Sequence, residues 1–185
     1  MKRLWVIILV VVIIGIGIYV MSAYNRLVSL NIQVDRQWAQ VETVLQRRFD
    51  LVPNLVNTVK GYARHEKDIF EALAKARADY AGAKNLGQKV KAANEFEGAL
   101  ARLLAIVENY PVLKASENFM RLSDELAGTE NRIAVERHRF NDAVGSYNTL
   151  IKQFPTIFIA RLFGFKEKEF FQAEEEAKKA PEVKF

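Results

Sequence analysis

The segment from Leu4 to Met21 constrains this chain most, because it runs for 18 residues without a charged side chain. In a helix that rises 1.5 Å per residue, this length is just enough to cross the ~30 Å hydrocarbon core of a bilayer. Trp5 lies near one end of the segment, and Tyr19 and Tyr24 lie near the other, where aromatic side chains of membrane helices accumulate. The sequence therefore predicts a membrane anchor over residues 1–23.

The same segment could be read as a cleaved signal peptide. Its apolar run is longer than the 7–15 residues usual for the core of a signal peptide. The candidate cleavage site Met21-Ser22-Ala23 is poor, because a bulky Met occupies a position that requires a small residue. The chain has no Cys that could carry a lipoprotein anchor. We therefore expect the segment to be retained.

The composition of the remaining chain is that of an ordinary helical domain. The net charge is +5, and Lys2 and Arg3 before the anchor account for two of these charges, which leaves +3 for the body. Without a basic stripe that alternates with aromatic residues, this charge does not indicate nucleic-acid binding. The absence of Cys excludes disulfides and thiolate metal sites. Strong helix formers are plentiful, so we expect an all-α fold.

Apolar residues recur every three or four positions from Leu27 to Val59, which is typical of the core-facing side of a bundle or coiled-coil helix. Pro53 interrupts this pattern, and a proline either kinks a helix or ends it. Both alternatives are open, and we favour a hairpin of two helices, Tyr24–Asp50 and Asn54–Tyr80, because an antiparallel bundle needs segments of similar length.

Further along the chain, residues 81–87 form the clearest loop, and a third helix is predicted to begin near Gln88. A later break is possible at Pro111 or at Gly128, and the sequence does not decide between them. Either break gives an antiparallel four-helix bundle with long helices. We assign residues 24–153 to this bundle, and residues 154–185 to an apolar, aromatic C-terminal segment with a charged tail.

Two polar groups at helical spacing stand out as candidates for an interaction surface or for structural ion pairs. The favoured interpretation is structural, because buried charges are usually paired within the fold, and the functional alternative is a docking surface for another protein. The residues concerned are Arg47, Arg48, Asp50, Asn54, Glu130, Asn131 and Arg132. Asp50 and Asn54, four residues apart, could also satisfy backbone groups freed by Pro53.

A second candidate surface is the apolar patch that follows the last bundle helix. It is too apolar for a free surface loop, so we expect it to cover its own bundle, to pack on a neighbouring subunit or to lie in the membrane interface. Its members are Ile157, Phe158, Ile159, Leu162, Phe163 and Phe165. Packing against protein is favoured, because an interfacial helix usually carries several basic residues and only Arg161 lies here before Lys166.

Catalytic chemistry has little support in this sequence. The only histidines, His65 and His138, lie among helix-surface charges. No Glu-x-x-His pair, His-Glu-x-x-His motif, phosphate-binding glycine loop or Gly-x-Ser-x-Gly elbow occurs. We therefore expect a protein that is not an enzyme and has no catalytic residue, cofactor or metal.

Several motifs resemble those of the LemA family, in the same order and over nearly the whole chain. The most specific are Gln46-Arg47-Arg48-Phe49-Asp50-Leu51-Val52-Pro53-Asn54-Leu55-Val56, Glu108-Asn109-Tyr110-Pro111, Gly128-Thr129-Glu130-Asn131-Arg132-Ile133, Tyr147-Asn148 and Phe154-Pro155. The resemblance implies one transmembrane helix, an antiparallel four-helix bundle and no established enzymatic activity. Genes of the relatives that this chain resembles often lie near genes for zinc-dependent membrane metalloproteases or for other envelope-stress proteins.

From these observations we expect a non-enzymatic, membrane-anchored scaffold or adaptor that forms a homo-oligomer and serves membrane-protein quality control or envelope stress. The alternative is a sensor or accessory subunit of an envelope signalling or transport system. Expected partners are the lipid bilayer and a membrane metalloprotease or other envelope protein. Location is expected to be single-pass in the bacterial inner membrane, and the basic residues Lys2 and Arg3 favour a body on the extracytoplasmic side.

Overall fold

The structure is a computed structural model that describes residues 2–63 and 66–171, and all regular secondary structure in these ranges is α-helical. The chain is therefore all-α with one long apolar helix at its N-terminus. The helices are α1 (Lys2–Lys60), α2 (Lys67–Gly82), α3 (Leu86–Val107), α4 (Pro111–Lys114), α5 (Glu117–Lys152) and α6 (Thr156–Leu162).

The chain divides into two compact units. The anchor unit contains residues 1–39 and 139–170, and thus the first part of α1, the end of α5 and all of α6. The second unit contains residues 40–138 and continues from Phe171, so it holds the end of α1, all of α2, α3 and α4, and most of α5.

The N-terminal half of α1 carries the predicted anchor. Every side chain from Arg3 to Tyr19 is exposed, and helix α1 is long and apolar enough to cross a membrane. Apolar side chains on such a helix are unfavourable in water and favourable in lipid. This arrangement fits a membrane-anchored protein.

Pro53 lies inside α1, which continues to Lys60, so the favoured hairpin at this proline is wrong and the continuous-helix alternative is correct. The physical reason is packing, because the apolar stripe keeps its phase across the proline. Phe49, Val52, Leu55 and Val59 are all buried. Their burial outweighs the one backbone hydrogen bond that proline cannot make.

Helix α1 ends at Lys60 rather than at Pro53. The backbone N–H groups of Tyr62 and Ala63 both donate to the carbonyl of Val59, which closes the last turn. Gly61 directly follows the last helical residue, without the positive φ of a left-handed helix cap. The apolar spacing continues past Gly61, so this end of the helix is not apparent from the sequence.

Helices α2 and α3 are joined by the predicted loop, in which Asn85 caps α3. The Asn85 Oδ1 accepts a hydrogen bond of 2.9 Å from the backbone N–H of Gln88, and the Gln88 side chain accepts one of 2.8 Å from the backbone N–H of Lys84. This reciprocal arrangement satisfies backbone donors at the start of the helix. The predicted start near Gln88 is two residues late, because α3 begins at Leu86.

The later break is at Pro111, because α3 ends at Val107 and α5 runs without interruption through Gly128. Thr129 does not cap a new helix. Its hydroxyl donates a 2.8 Å hydrogen bond to the carbonyl of Leu126, and the residue is buried inside α5. Back-bonding of this kind satisfies a buried Thr within a helix.

The C-terminal segment begins with α6 and then continues without regular structure from Phe163 to Phe171. Thr156, Ile159 and Ala160 are buried, and they share one side of α6. Residues 172–185, which include most of the predicted charged tail, lie outside the described residues, as does His65.

Replacement of Pro53 by Ala tests the continuous helix. We expect Pro53→Ala to raise the free energy of unfolding by about 1–3 kcal/mol, because alanine restores a helical N–H donor and has the highest helix propensity. Urea unfolding of the detergent-solubilised protein, followed by far-UV circular dichroism, measures the change. A clear loss of stability would mean that the proline is needed for a turn.

Candidate functional site

Arg48 is the only member of the predicted polar group that is buried, with 9% of its side chain exposed. Its Nη1 lies 2.5 Å from Oε2 of Glu130, so the pair joins α1 to α5 within the second unit. The Glu130 side chain is 41% exposed and can also be hydrated. A buried guanidinium retains its charge, so it requires such a partner.

The other predicted members do not gather around this pair. Asp50 is exposed, and its Oδ1 accepts a 2.9 Å hydrogen bond from Gln46 and lies 3.5 Å from Nη2 of Arg77. Its carboxylate therefore bonds to side chains rather than to the backbone around Pro53. The remaining members, all exposed, are Arg47, Asn54, Asn131 and Arg132.

Two further ion pairs in the second unit were not anticipated from the sequence. Arg137 on α5 lies 2.8 Å from Oε2 of Glu97 on α3, and its guanidinium carbon is 4.3 Å from the ring centre of Phe171. Lys89 on α3 pairs with Glu42 on α1. Together with Arg48 and Glu130, these pairs connect α1, α3 and α5, which favours one register of these helices over others.

In the anchor unit, two side chains of α5 hold the segment after α6. The Tyr147 hydroxyl donates a 3.0 Å hydrogen bond to the carbonyl of Lys166. The Asn148 side-chain N–H donates a 2.8 Å hydrogen bond to the carbonyl of Lys168. The Asn148 Oδ1 accepts a 2.9 Å hydrogen bond from the backbone N–H of Lys168. The ammonium of Lys168 is also 3.2 Å from the carboxylate of Asp35 on α1. These contacts fix residues 166–168 against α5.

The predicted apolar patch divides into a part that packs on its own chain and a part that remains exposed. Ile159 is buried, while Ile157 and Phe165 are half-buried. Phe163 packs on Tyr24 with ring centres 4.8 Å apart, and Phe165 packs on the same tyrosine at 5.8 Å. The exposed members are Phe158, Leu162 and half of Phe163.

Tyr80 and Tyr147 are two titratable groups of the described residues with shifted pKa values. No cluster of three or more His, Asp or Glu side chains that could hold a metal occurs among them. Burial, reinforced by the Glu42 carboxylate, raises the pKa of Tyr80 well above its usual value. Burial and the Asp35 carboxylate likewise raise the pKa of Tyr147. Both phenols are therefore neutral at physiological pH, which does not suit a general base.

These two tyrosines lead to opposite expectations for removal of the hydroxyl. The Tyr80 hydroxyl is buried and has no hydrogen-bond partner among the described residues, so Tyr80→Phe should leave the free energy of unfolding unchanged or raise it by up to about 1 kcal/mol. Tyr147→Phe removes the bond to Lys166 and should lower it by about 1 kcal/mol. Chemical denaturation at pH 7 measures both changes. Equal losses of stability in the two variants would contradict this difference between the two hydroxyls.

The same pair predicts how stability depends on alkaline pH. A raised pKa in the folded state means that the neutral phenol stabilises the fold below the ordinary tyrosine pKa of about 10. This stabilisation is lost as the pH rises from about 10 through the raised pKa of the folded state. Tyr80→Phe should therefore reduce the loss of stability above about pH 10.

With the geometry established, comparison with known proteins shows the family. The LemA family profile matches residues 37–185, which is most of the chain. The chain belongs to the LemA family. The resemblance inferred from the motifs around Pro53, Pro111 and Gly128 is thereby confirmed.

Curated relatives carry the name of magnetosome proteins. MamQ 1 and MamQ 2 of Paramagnetospirillum magneticum are each 28% identical to this chain, and the matched region covers 80% of this chain and 64% of each relative. MamQ of Magnetospirillum gryphiswaldense is also 28% identical, with the same coverage. This LemA-family chain thus spans 64% of the length of these relatives.

Proposed function

We propose that this LemA-family protein is a non-enzymatic, membrane-anchored helical scaffold that assembles with copies of itself and presents its body to other envelope proteins. The observation that carries the proposal is the continuity of α1, whose exposed apolar half runs without a break into a polar and packed half. Membership of the family and similarity to the MamQ magnetosome proteins support a membrane-associated role without catalysis.

The antiparallel four-helix bundle is part of this proposal. Four long helical segments of the second unit, from α1, α2, α3 and α5, are joined by side-chain contacts that support it. Phe49 of α1 packs on Tyr80 of α2 and on Phe96 of α3, with ring centres 4.7 and 4.6 Å apart. The ion pairs that involve Arg48 and Arg137 add α5 to the same set.

Self-assembly of the chain is part of the proposal. Confinement of anchored chains to the two dimensions of a membrane raises their effective concentration, which favours contacts between copies. The proposal also includes a role in membrane-protein quality control or envelope stress, through a membrane metalloprotease or another envelope protein. This part of the proposal rests on the family alone.

The test is the number of chains in one lipid disc. Full-length protein reconstituted in discs of two diameters, at several ratios of lipid to protein, should contain more than one copy per disc even when lipid is in large excess. Native mass spectrometry counts the copies. Single chains in every preparation would overturn self-assembly, and multiple chains that disappear on dilution with lipid would show crowding only.

Partner binding needs a separate measurement in cells. Photo-crosslinking from exposed body positions such as Arg47 and Arg132, followed by mass spectrometry, should recover envelope proteins in addition to copies of the chain. Recovery of the chain alone from all such positions would contradict the adaptor role while leaving self-assembly intact.

A further inference from the structure

The exposed face of α6 lies beside the membrane end of the anchor. The Tyr19 hydroxyl, within the apolar segment, is 3.3 Å from Oγ1 of Thr156 at the start of α6. At the other end of α6, Phe163 packs on Tyr24. Helix α6 therefore follows α1 over the stretch from Tyr19 to Tyr24, which is where the apolar segment gives way to the polar chain that begins near Arg26.

The two sides of α6 differ in what they contact. Thr156, Ile159 and Ala160 are buried against the chain. On the opposite side, Phe158 and Leu162 are four residues apart, which puts them on one face of the helix, and they are 62% and 78% exposed. Phe154 precedes the helix, is 81% exposed, and has its ring centre 5.9 Å from that of Phe158. We call Phe158 and Leu162, together with Phe154, the outer face of α6.

We propose that the outer face of α6 inserts into the lipid headgroup and upper acyl region, so that α6 is a second membrane contact beside the transmembrane helix. This inference rests on the proposed membrane anchor, in which the bilayer surrounds the apolar segment to the level of Tyr19. At that level the Tyr19 hydroxyl lies 3.3 Å from Oγ1 of Thr156 at the start of α6. A contiguous apolar face exposed to water is unfavourable, and burial in lipid removes that exposure. Interfacial helices are recognised by such a one-sided apolar face.

The exposed basic residue of α6 is Arg161. An arginine in the membrane interface buries its stem while its guanidinium reaches lipid phosphate. Arg161 therefore suits the proposed position of α6.

The absence of native Cys allows a direct test in the full-length protein. Single cysteines at Phe158 and Leu162 would carry spin labels in liposomes, with Ile13 as the reference inside the bilayer and Ser29 as the reference in water. We expect the labels on α6 to collide several-fold more with oxygen than with a water-soluble nickel chelate, relative to Ser29. Thermal unfolding of each labelled variant confirms that it folds.

Two other outcomes at the α6 labels overturn the proposal. Labels on α6 that behave like the label at Ser29 would place this face in water. Labels protected from both reagents would show that a second copy of the chain covers it, as the sequence-based preference for protein packing predicts. A label at Ile13 that reports water would instead contradict the anchor, so failure of the proposed function is distinguishable from failure of this inference.

An unlabelled control excludes an effect of the probe. Wild-type protein in vesicles that contain a photoactivatable acyl-chain lipid should form lipid adducts on the peptide that spans residues 154–162. Adducts confined to the anchor would overturn the proposal.

Discussion

Arg48→Ala should lower the free energy of unfolding by about 2–3 kcal/mol, because loss of one member of a buried ion pair is strongly destabilising. The substitution removes a guanidinium 2.5 Å from Glu130 together with the packed stem of the side chain. The value lies below the ~3–5 kcal/mol of fully buried pairs, because Glu130 is 41% exposed and can be hydrated. Urea unfolding in detergent measures the change.

Arg47 provides the matched control, since it is the neighbouring arginine on the same helix and is exposed. Arg47→Ala should change the stability by less than about 0.5 kcal/mol. The double variant of Arg48 and Glu130 to Ala should be less destabilised than the sum of the two single variants, since the pair is then absent as a whole. Equal effects of Arg47→Ala and Arg48→Ala would contradict the structural role. Unchanged stability with loss of a crosslinked partner would favour the docking interpretation.

Asn148→Ala should lower the free energy of unfolding by about 2–3 kcal/mol, because it leaves two partly buried backbone groups of Lys168 without their partners. The Asn148 side chain makes bonds of 2.8 and 2.9 Å with the carbonyl and the N–H of Lys168. Once these bonds are lost, the amide hydrogen of Lys168 should exchange faster with solvent. Denaturant unfolding and hydrogen exchange give the two measurements.

Asn131 is the control for this change, because it lies on the same helix and is exposed. Asn131→Ala should affect neither the stability nor the exchange at Lys168. Asn148→Asp keeps the acceptor and removes the donor, so its free energy of unfolding should lie between those of Asn148→Ala and the native protein. If exchange at Lys168 is unchanged in Asn148→Ala, the amide does not hold this segment.

The sequence alone predicted the apolar segment, the all-α class and the loop before α3, because each depends on local composition and spacing. At Pro53 it failed, since local rules describe what a proline disfavours and not what packing around it supplies. The buried stripe through Phe49 and Val59 determined the outcome. Gly128 was one of the two positions left open for the later break, and the helix continues through it because buried neighbours within α5 offset the low helix propensity of glycine.

The candidate sites were less accessible to sequence reasoning. Arg48 and Glu130 were both named, but their pairing depends on how α1 and α5 are aligned. Glu97 and Arg137 were missed, because a charge on a helix face looks the same in sequence whether it meets water or another helix. Tyr19 and Thr156 are 137 residues apart, so no local pattern could place α6 beside the anchor.

The proposed function and the membrane contact of α6 both depend on retention of the anchor. The direct measurement is alkaline carbonate extraction of membranes, followed by N-terminal sequencing of the extracted and retained chains. We predict that the chain stays in the membrane fraction with its N-terminus before Leu4, because so many apolar side chains are buried in lipid. Chains that begin near Tyr24 and are released into the soluble fraction would contradict it.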